Sequence, residues 1–211
     1  MFQPALFRED RVEVMHALMQ AHPFATLITS RAGQLSADHL PLSIHPECSK
    51  KGTIRGHLAL ANPLVRVRDA IDEALIVFQG PQAYVTPSWY PTKKEHGKAV
   101  PTWNYAVVHA YGPLIFHDDS DWLIAHLHSL TTHHESHRDA PWAISDAPRD
   151  YMTQQMRGIV GIEMTISRLE GKWKVSQNKR GRDSDGVEAG LLAEPSPQAT
   201  AVSELVKNAR K

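Results

Sequence analysis

Apolar residues recur at the spacing of an α-helix in six segments of the chain. These segments predict helices over residues 11–22, 63–71, 121–137, 149–156, 184–193 and 199–209. Asp10 precedes the first helix as its expected N-cap, and Asn62 followed by Pro63 opens the second. Helices are therefore expected at both ends of the chain and between groups of strands.

Runs of β-forming residues, several of them alternating with polar positions, predict short strands. Their ranges are 24–30, 35–45, 53–61, 74–81, 83–86, 104–111, 114–117, 159–169 and 172–176. A turn at 31–34 makes the first two strands a hairpin, and Pro41 places the second at a sheet edge or a bulge. A turn at Glu170-Gly171 joins the last two strands. Short strands with inserted helices predict a mainly β, α+β fold built on an antiparallel barrel.

A polar, proline-bounded loop from Pro87 to Pro101 separates two aromatic strands. Trp89 and Trp103 lie close to it, together with four of the five tyrosines. Long loops in compact domains are usually functional or mobile, and clustered aromatic rings suit a flat ligand. The alternative is a corner of the core in which the aromatic rings only fill volume.

Composition narrows the class of protein. With 211 residues, 42% hydrophobic and 22% charged, the chain is typical of a soluble globular protein of one domain, with room for a small second module. A formal net charge of zero argues weakly against nucleic acid as the main partner. Cys48 is the single cysteine, so no internal disulfide is possible and a cytoplasmic location is expected; its polar surroundings suggest an incidental role. No segment has the length of a membrane span, and no secretory signal is evident.

The start of the second helix is a candidate phosphate site. A helix that begins directly after a strand presents free backbone N–H groups and the positive end of its dipole. Arg66 and Arg68 lie in its first turns, and Arg55 lies on the preceding strand. The alternative is that Asn62 only caps the helix and the arginines are solvated.

Five of the thirteen histidines belong to the helix predicted at 121–137. His133 and His137 are four residues apart and His126 is seven residues before His133, so the three share a helical face that could bind a metal ion. A polar, exposed helix end is the alternative explanation.

The segment 171–182 holds five basic residues and no acidic one. Its Ser-Gln-Asn sequence at 176–178 offers hydrogen bonds to a heterocycle, and Lys179 offers a charge to a phosphate. The same segment could equally be a solvated hairpin end or a contact to the DNA backbone. The motifs GxGxxG, Walker A, CxxC and GxSxG are all absent from the sequence.

Several motifs in order along the chain resemble one known family. They are HLPL at 39–42, GHLALANP at 56–63, FQGPQAYVTPSWY at 78–90, VPTWNYAVVHAYG at 100–112, GIVGIE at 158–163 and KVSQNK at 174–179. Together they are similar to the PaiB family of FMN-binding, negative transcriptional regulators. The resemblance implies a split β-barrel of the FMN-binding type with peripheral helices, in a cytoplasmic homodimer that binds FMN at the subunit interface. We expect the barrel domain at 1–180 and a helical extension at 181–211.

The resemblance also implies which residues bind the flavin. His57, Asn62 and Arg66 are expected near its phosphate, and Asp38 and His39 near its ring system. The other expected contacts, on the ring or substrate side, are Trp103, Asn104, Tyr105, Ser176, Gln177 and Lys179. The resemblance implies a negative transcriptional regulator or flavin-dependent sensor as the first hypothesis, with DNA or another regulator as a further partner. An FMN-dependent oxidoreductase and a haem- or metal-handling protein are the alternatives.

Overall fold

The computed structural model describes residues 1–71 and 73–210. The strands are β1 Arg8–Glu9, β2 Phe24–Arg31, β3 Gln34–Pro41, β4 Ser43–His45, β5 Thr53–Ala59, β6 Ala74–Val85, β7 Thr102–Gly112, β8 Leu114–His117, β9 Ile159–Thr165 and β10 Arg168–Lys174. The α-helices are α1 Val12–Ala21, α2 Lys93–His96, α3 Ser120–Glu135, α4 Arg149–Met156, α5 Arg182–Ala193 and α6 Pro197–Asn208. The strand pairings are antiparallel, which confirms the predicted α+β class.

The chain divides into two compact units. The first contains residues 1–22, 78–109 and 170–211, and the second contains residues 23–77 and 110–169. In the first unit the strand order is β1-β10-β7-β6. Helices α5 and α6 cover an apolar cluster of Val85, Tyr90, Val175, Val187, Leu191, Ala199, Val202 and Val206. The domain division expected from the sequence, 1–180 and 181–211, stays a prediction.

The second unit holds the β2–β3 hairpin, which pairs with the first residues of β6, and a four-stranded sheet of order β4-β5-β9-β8. The turn predicted at 31–34 is confirmed: Arg31 pairs with Gln34, and Ala32 and Gly33 both have positive φ. That conformation matches the twist of a two-residue hairpin. The largest buried side chains of this unit include Leu42, Ile54, Ile162 and Met164.

The strand predicted at 35–45 is wrong as a single element. It breaks at Leu42, so that β3 is an edge strand of one sheet while β4 pairs with β5 in another. Pro41 has no backbone N–H to extend the ladder, and the Leu42 N–H donates to Pro23 O instead. The edge position predicted from Pro41 is confirmed.

Two glycines that suggested turns lie inside strands. Strand β6 continues through Gly80 to Val85, so the predicted break there is wrong; a Cβ on Gly80 would lie 2.7 Å from Leu18 Cδ1. Gly171 lies within β10 opposite Glu9, and a Cβ there would lie 2.7 Å from Met15 Sδ. Both glycines allow close packing rather than a reversal of the chain.

Of the two predicted N-cap residues, Asn62 is confirmed and Asp10 is wrong. Asn62 caps its helix as predicted, although the segment Pro63–Ala70 is a 3-10 helix. Asp10 does not cap α1; Arg11 occupies the N-cap position without a side-chain bond, and the Asp10 carboxylate pairs with Arg8. Among the helices of the described residues, none is both long and apolar enough to cross a membrane.

Candidate functional site

In the first unit, the TWNY and SQN segments meet through Asn104 and Ser176. Asn104 is fully buried on β7, and its Nδ2 donates to Ser176 Oγ at 2.9 Å. The Ser176 hydroxyl lies 3.2 Å from Asn104 Oδ1 and donates to it. Ser176 has a φ of 63°, a conformation that non-glycine residues adopt only where neighbours hold it. This buried pair therefore fixes the turn that follows β10.

Gln177 braces the same turn. Its Oε1 accepts from the Val175 N–H at 2.8 Å, and its Nε2 donates to Trp173 O. One N–H and one lone pair of the amide are thus used within the turn, and the second N–H and lone pair remain for another contact. The contact from Gln177 to the flavin, expected from the sequence, stays a prediction.

The side chain of Lys179, which follows that turn, places its ammonium group beside an aromatic ring. Its Nζ lies 4.4 Å from the centroid of the Tyr90 ring. Lys179 also borders two cavities of the first unit, of about 390 Å³ and 140 Å³. The larger cavity is also lined by Arg180, Asp185 and Arg210, and Arg210 forms an ion pair with Asp185 at 2.7 Å. Of the first-unit candidates, Lys179 is the one whose charge the structure directs towards cavities.

Trp103 and Tyr105 lie on β7 at a half-exposed aromatic surface. The Trp103 indole Nε1 donates to Gln82 Oε1 at 3.0 Å, and the Tyr84 ring meets the indole edge-on at 6.1 Å between centroids. Trp103 and Tyr84 are 48% and 50% exposed. Trp103, Tyr105 and Gln82 border a further cavity of about 150 Å³. Of the aromatic rings predicted around the loop, Tyr84 and Trp103 meet and are half-exposed, whereas Tyr90 is buried in the apolar cluster.

In the second unit, the side chains of Asp38 and Asn62 are joined by a hydrogen bond. Asn62 Nδ2 donates to Asp38 Oδ1 at 2.7 Å, while Asn62 Oδ1 accepts the Leu64 N–H at 2.8 Å. One N–H and one lone pair of the Asn62 amide are therefore engaged, and a carboxylate lies beside the helix start that was expected to bind phosphate. Arg66 is exposed, whereas Arg68 is paired with Asp118 at 2.7 Å. The contact from Arg66 to a phosphate stays a prediction.

His57 pairs with a histidine that the sequence suggested for another role. His57 Nδ1 and His126 Nε2 are 3.2 Å apart, and the Trp122 ring stacks on His126 at 5.3 Å. Burial lowers the pKa of His57, and burial followed by the neighbouring His57 lowers the pKa of His126 to about 4. Both rings are neutral at pH 7, so His57 can offer a phosphate a hydrogen bond but no charge.

His39 presents an exposed ring on β3. Its Nδ1 lies 3.1 Å from Thr26 Oγ1, and its ring stacks on Phe24 with 6.4 Å between centroids. Phe24 is 69% exposed. Phe24 was not among the predicted site residues, because residues 24–30 had the pattern of a short apolar strand. The alternation of exposed Phe24 with buried Ala25 and Leu27 was the available signal. Together His39 and Phe24 form a flat, accessible aromatic face.

The three histidines proposed as ligands of a metal ion do not form a cluster. His126 is buried on α3, His133 is exposed near its end, and His137 lies beyond it. Within 1–71 and 73–210, the residues whose ligand atoms all lie within 4.8 Å are His45, Glu47 and Cys48. Burial lowers the pKa of His45, while burial and then Glu47 raise the pKa of the exposed Cys48 thiol.

The buried histidine pair predicts a pH-dependent stability of the second unit. His126 titrates near 6.5 when unfolded and near 4 when folded, so the unfolded chain binds more protons between these values. The free energy of unfolding therefore falls as the pH is lowered through this window, by about 2 kcal/mol between pH 7 and 5. Urea denaturation at the two pH values measures the difference. His126→Phe should remove most of it, whereas His134→Gln, an exposed position on the same helix, should retain it. An unchanged pH dependence in His126→Phe would contradict the assignment.

Comparison with known proteins adds a family and a fold. Residues 1–168 match the family model described as "Putative FMN-binding domain". The chain is 32% identical over 211 residues to "Protease synthase and sporulation protein PAI 2" of Bacillus subtilis, which covers 100% of this chain and 99% of the relative. It is 33% identical over 226 residues to an uncharacterized protein of Emericella nidulans, with 90% of each chain covered.

Solved structures resemble it at lower identity. The "FAD and Heme binding protein" of Mycobacterium smegmatis matches with a TM-score of 0.60 at 14% identity, covering 87% of this chain and 80% of that one. The "Flavocytochrome Anf3" of Azotobacter vinelandii matches with a TM-score of 0.56 at 11% identity, covering 83% and 70%. At these identities the likeness concerns the fold alone, and it confirms the predicted split barrel.

Proposed function

This chain belongs to the FMN-binding domain family and is a flavin-binding protein, and on that premise we propose that it is a flavin-dependent sensor that regulates gene expression as a cytoplasmic homodimer. The observation that carries the proposal is the alignment, over 100% of this chain and 99% of the relative, with a protein whose name refers to protease synthesis and sporulation. FMN is the cofactor that the family supports. When bound, it supplies the redox chemistry of its isoalloxazine ring.

Each unit, taken by itself, carries residues that suit such a ligand. His39 and Phe24 offer a flat face for stacking, as does the half-exposed Trp103. The Asp38 carboxylate offers the acceptor that the N3–H of an isoalloxazine ring requires, and Asn62 holds it in place. The candidate cation for a phosphate is Arg66 in the second unit and Lys179 in the first. Asn104 and Ser176 act on the ligand through the turn that carries Lys179.

The basic segment 171–182 supports sensing rather than direct contact with DNA. Lys172 is only 8% exposed, and its ammonium lies 5.5 Å from the Tyr105 ring centroid. Lys174 donates to Trp103 O at 2.6 Å, and Arg182 is paired with Glu95 at 2.7 Å. A DNA-binding segment would present such cations freely to phosphates. We therefore infer that the regulatory output passes through the flavin state or another regulator.

The homodimer is part of the proposal. Tyr84 and Trp103 give the first unit an exposed aromatic surface, and such residues are enriched at subunit interfaces. Light scattering of the purified protein at micromolar concentration is expected to give twice the mass of one 23.6 kDa chain.

Flavin titration tests the central claim. FMN added to the purified protein is expected to lose fluorescence in a saturable way, and Arg66→Gln should weaken FMN binding about tenfold by removing a charged partner of the phosphate. Riboflavin, which has no phosphate, should bind both proteins equally. Arg157→Gln, another exposed arginine of the same unit, is the matched control. No binding of FMN at tens of micromolar would refute the proposal.

The regulatory part has its own test. Transcripts of a strain that lacks the gene are compared with those of strains complemented by the natural protein or by Arg66→Gln. A flavin-dependent regulator requires the natural protein for repression, and the variant should restore it only in part. Equal repression by both proteins would separate regulation from flavin binding.

A further inference from the structure

Three side chains with donor atoms that suit a transition metal meet at the end of β4, apart from the residues assigned to the flavin. They are His45, Glu47 and Cys48, whose ligand atoms all lie within 4.8 Å of one another. An imidazole nitrogen, a carboxylate oxygen and a cysteine sulfur are the three kinds of ligand that zinc takes from proteins. His45 is half-buried and the other two residues are exposed, so the cluster opens to solvent.

A short 3-10 helix brings the three residues together. His45 ends β4, where it is paired with Thr53 of β5. The 3-10 helix Pro46–Cys48 follows directly, with His45 as its N-cap residue. Side chains three residues apart lie on the same side of such a helix, so Cys48 comes to lie beside His45. The cluster therefore depends on contacts that are local in the sequence.

The distances within the cluster match two edges of a zinc coordination tetrahedron. His45 Nδ1 lies 3.4 Å from Glu47 Oε1, and Cys48 Sγ lies 3.5 Å from the same oxygen. Zinc bonds of about 2.0–2.2 Å to nitrogen and oxygen and about 2.3 Å to sulfur would separate these pairs of ligands by about 3.4 Å and about 3.6 Å. An ion bound to the Glu47 oxygen would thus meet the other two atoms after small movements of the side chains.

Hydrogen bonding favours the tautomer of His45 that a metal requires. Ser43 Oγ donates to the Arg55 carbonyl oxygen at 3.3 Å and lies 3.0 Å from His45 Nε2. Because the hydroxyl proton of Ser43 is used, its oxygen accepts the Nε2–H, and Nδ1 of the neutral ring carries the lone pair. That lone pair lies beside a second acceptor, the Glu47 carboxylate. Histidines that bind metals are held by their second nitrogen in this way, and a cation would relieve the contact between the two acceptors.

The charges of the cluster suit a divalent cation. One thiolate and one carboxylate balance two positive charges, and a sulfur ligand selects zinc over magnesium or calcium, which bind oxygen. Arg55 is a cation whose charge reaches His45, and its guanidinium is paired with the Glu163 carboxylate at 2.7 Å. The positive charge of Arg55 is therefore offset by a partner of its own.

We propose that His45, Glu47 and Cys48 bind a zinc ion, with the fourth position of the tetrahedron open to water or to a small ligand. Three protein ligands and one exchangeable position are typical of catalytic zinc sites, whereas structural sites use four protein ligands. The proposal goes beyond flavin binding and uses none of the residues assigned to the flavin. It can therefore fail while the flavin proposal stands.

Competition between the protein and a chromophoric zinc chelator tests the proposal. The full chain, freed of any affinity tag, is expected to bind one zinc ion. Cys48→Ser should weaken zinc binding at least about a hundredfold, and Ser43→Ala about tenfold, because it removes the acceptor that selects the His45 tautomer. His134→Gln, which alters an exposed histidine of the same unit, should leave the affinity unchanged.

Two further readouts distinguish this site from adventitious metal. Cobalt(II) in place of zinc should show the charge-transfer absorption of a cobalt–thiolate bond, and Cys48→Ser should abolish it. Zinc should also protect the single thiol of the chain from Ellman's reagent, and Glu47→Gln, which keeps that thiol, should weaken the protection. No zinc bound at tens of micromolar, equal affinity in the natural protein and Cys48→Ser, or a cobalt complex without thiolate absorption would each overturn the proposal.

Discussion

Gly186→Ala is expected to destabilise the protein by about 2–3 kcal/mol, the cost of inserting an atom into close packing. Inside a helix this substitution ordinarily stabilises by up to about 1 kcal/mol, so the structure reverses the expected sign. The added Cβ would lie 1.9 Å from the backbone oxygen of Trp89 and 3.3 Å from Pro91 Cδ. A backbone oxygen cannot rotate out of the way as a flexible side chain can. Helix α5 would have to move away from the segment that holds Trp89.

Urea denaturation followed by circular dichroism measures this effect. Gly158→Ala is the matched control, because a Cβ there meets only Gln155 O at 3.3 Å and the backbone has no positive φ. Its effect should stay within about 0.5 kcal/mol, as for most surface changes. A Gly186→Ala protein as stable as the natural one would show that α5 does not pack on Trp89 as described.

Leu191→Ala should cost about 2–5 kcal/mol, whereas Leu192→Ala, the same change one residue later, should cost less than about 0.5 kcal/mol. Leu191 is fully buried in the apolar cluster of the first unit, while Leu192 is 55% exposed. Both substitutions replace leucine by alanine on the same helix, so they change helix propensity equally. The difference between the two losses of stability therefore measures the packing of Leu191. Denaturation of both variants gives the two values.

The same pair tests the division of the chain at residue 180. The cluster around Leu191 also contains Val85 and Val175, which precede that point. If residues 181–211 formed an independent extension, Leu191→Ala would leave the unfolding of the preceding residues unchanged. We expect instead a single shifted transition for the first unit, detected by comparing Trp fluorescence with circular dichroism.

Local patterns predicted the elements whose partners are close in sequence. The β2–β3 hairpin and α3 followed from alternation and helical spacing, because each is specified within its own residues. The break at Leu42 escaped prediction, since the alternation of apolar residues continues through it and only the sheet partners change. The turn predicted at Gly171 was wrong for a related reason. Gly171 allows Met15 to pack closely against the strand, and Met15 is far away in the sequence.

In the candidate site as well, contacts between residues that are distant in the sequence could not be predicted. The sequence identified Asn104 and Ser176 separately, but their mutual hydrogen bonds join residues 72 positions apart. His57 and His126 were assigned to different roles for this reason as well. Tyr90 was counted only as one aromatic ring among several, because the lack of a partner for its hydroxyl is a property of the folded unit.

Each copy of this protein carries a single thiol, at the exposed Cys48. A maleimide-linked spin label will therefore attach once per chain without any engineered substitution. Double electron–electron resonance would then record one interspin distance from a symmetric pair of chains and none from a separate chain. Repeating the measurement with oxidised and reduced FMN would report whether the redox state changes the arrangement of the two copies.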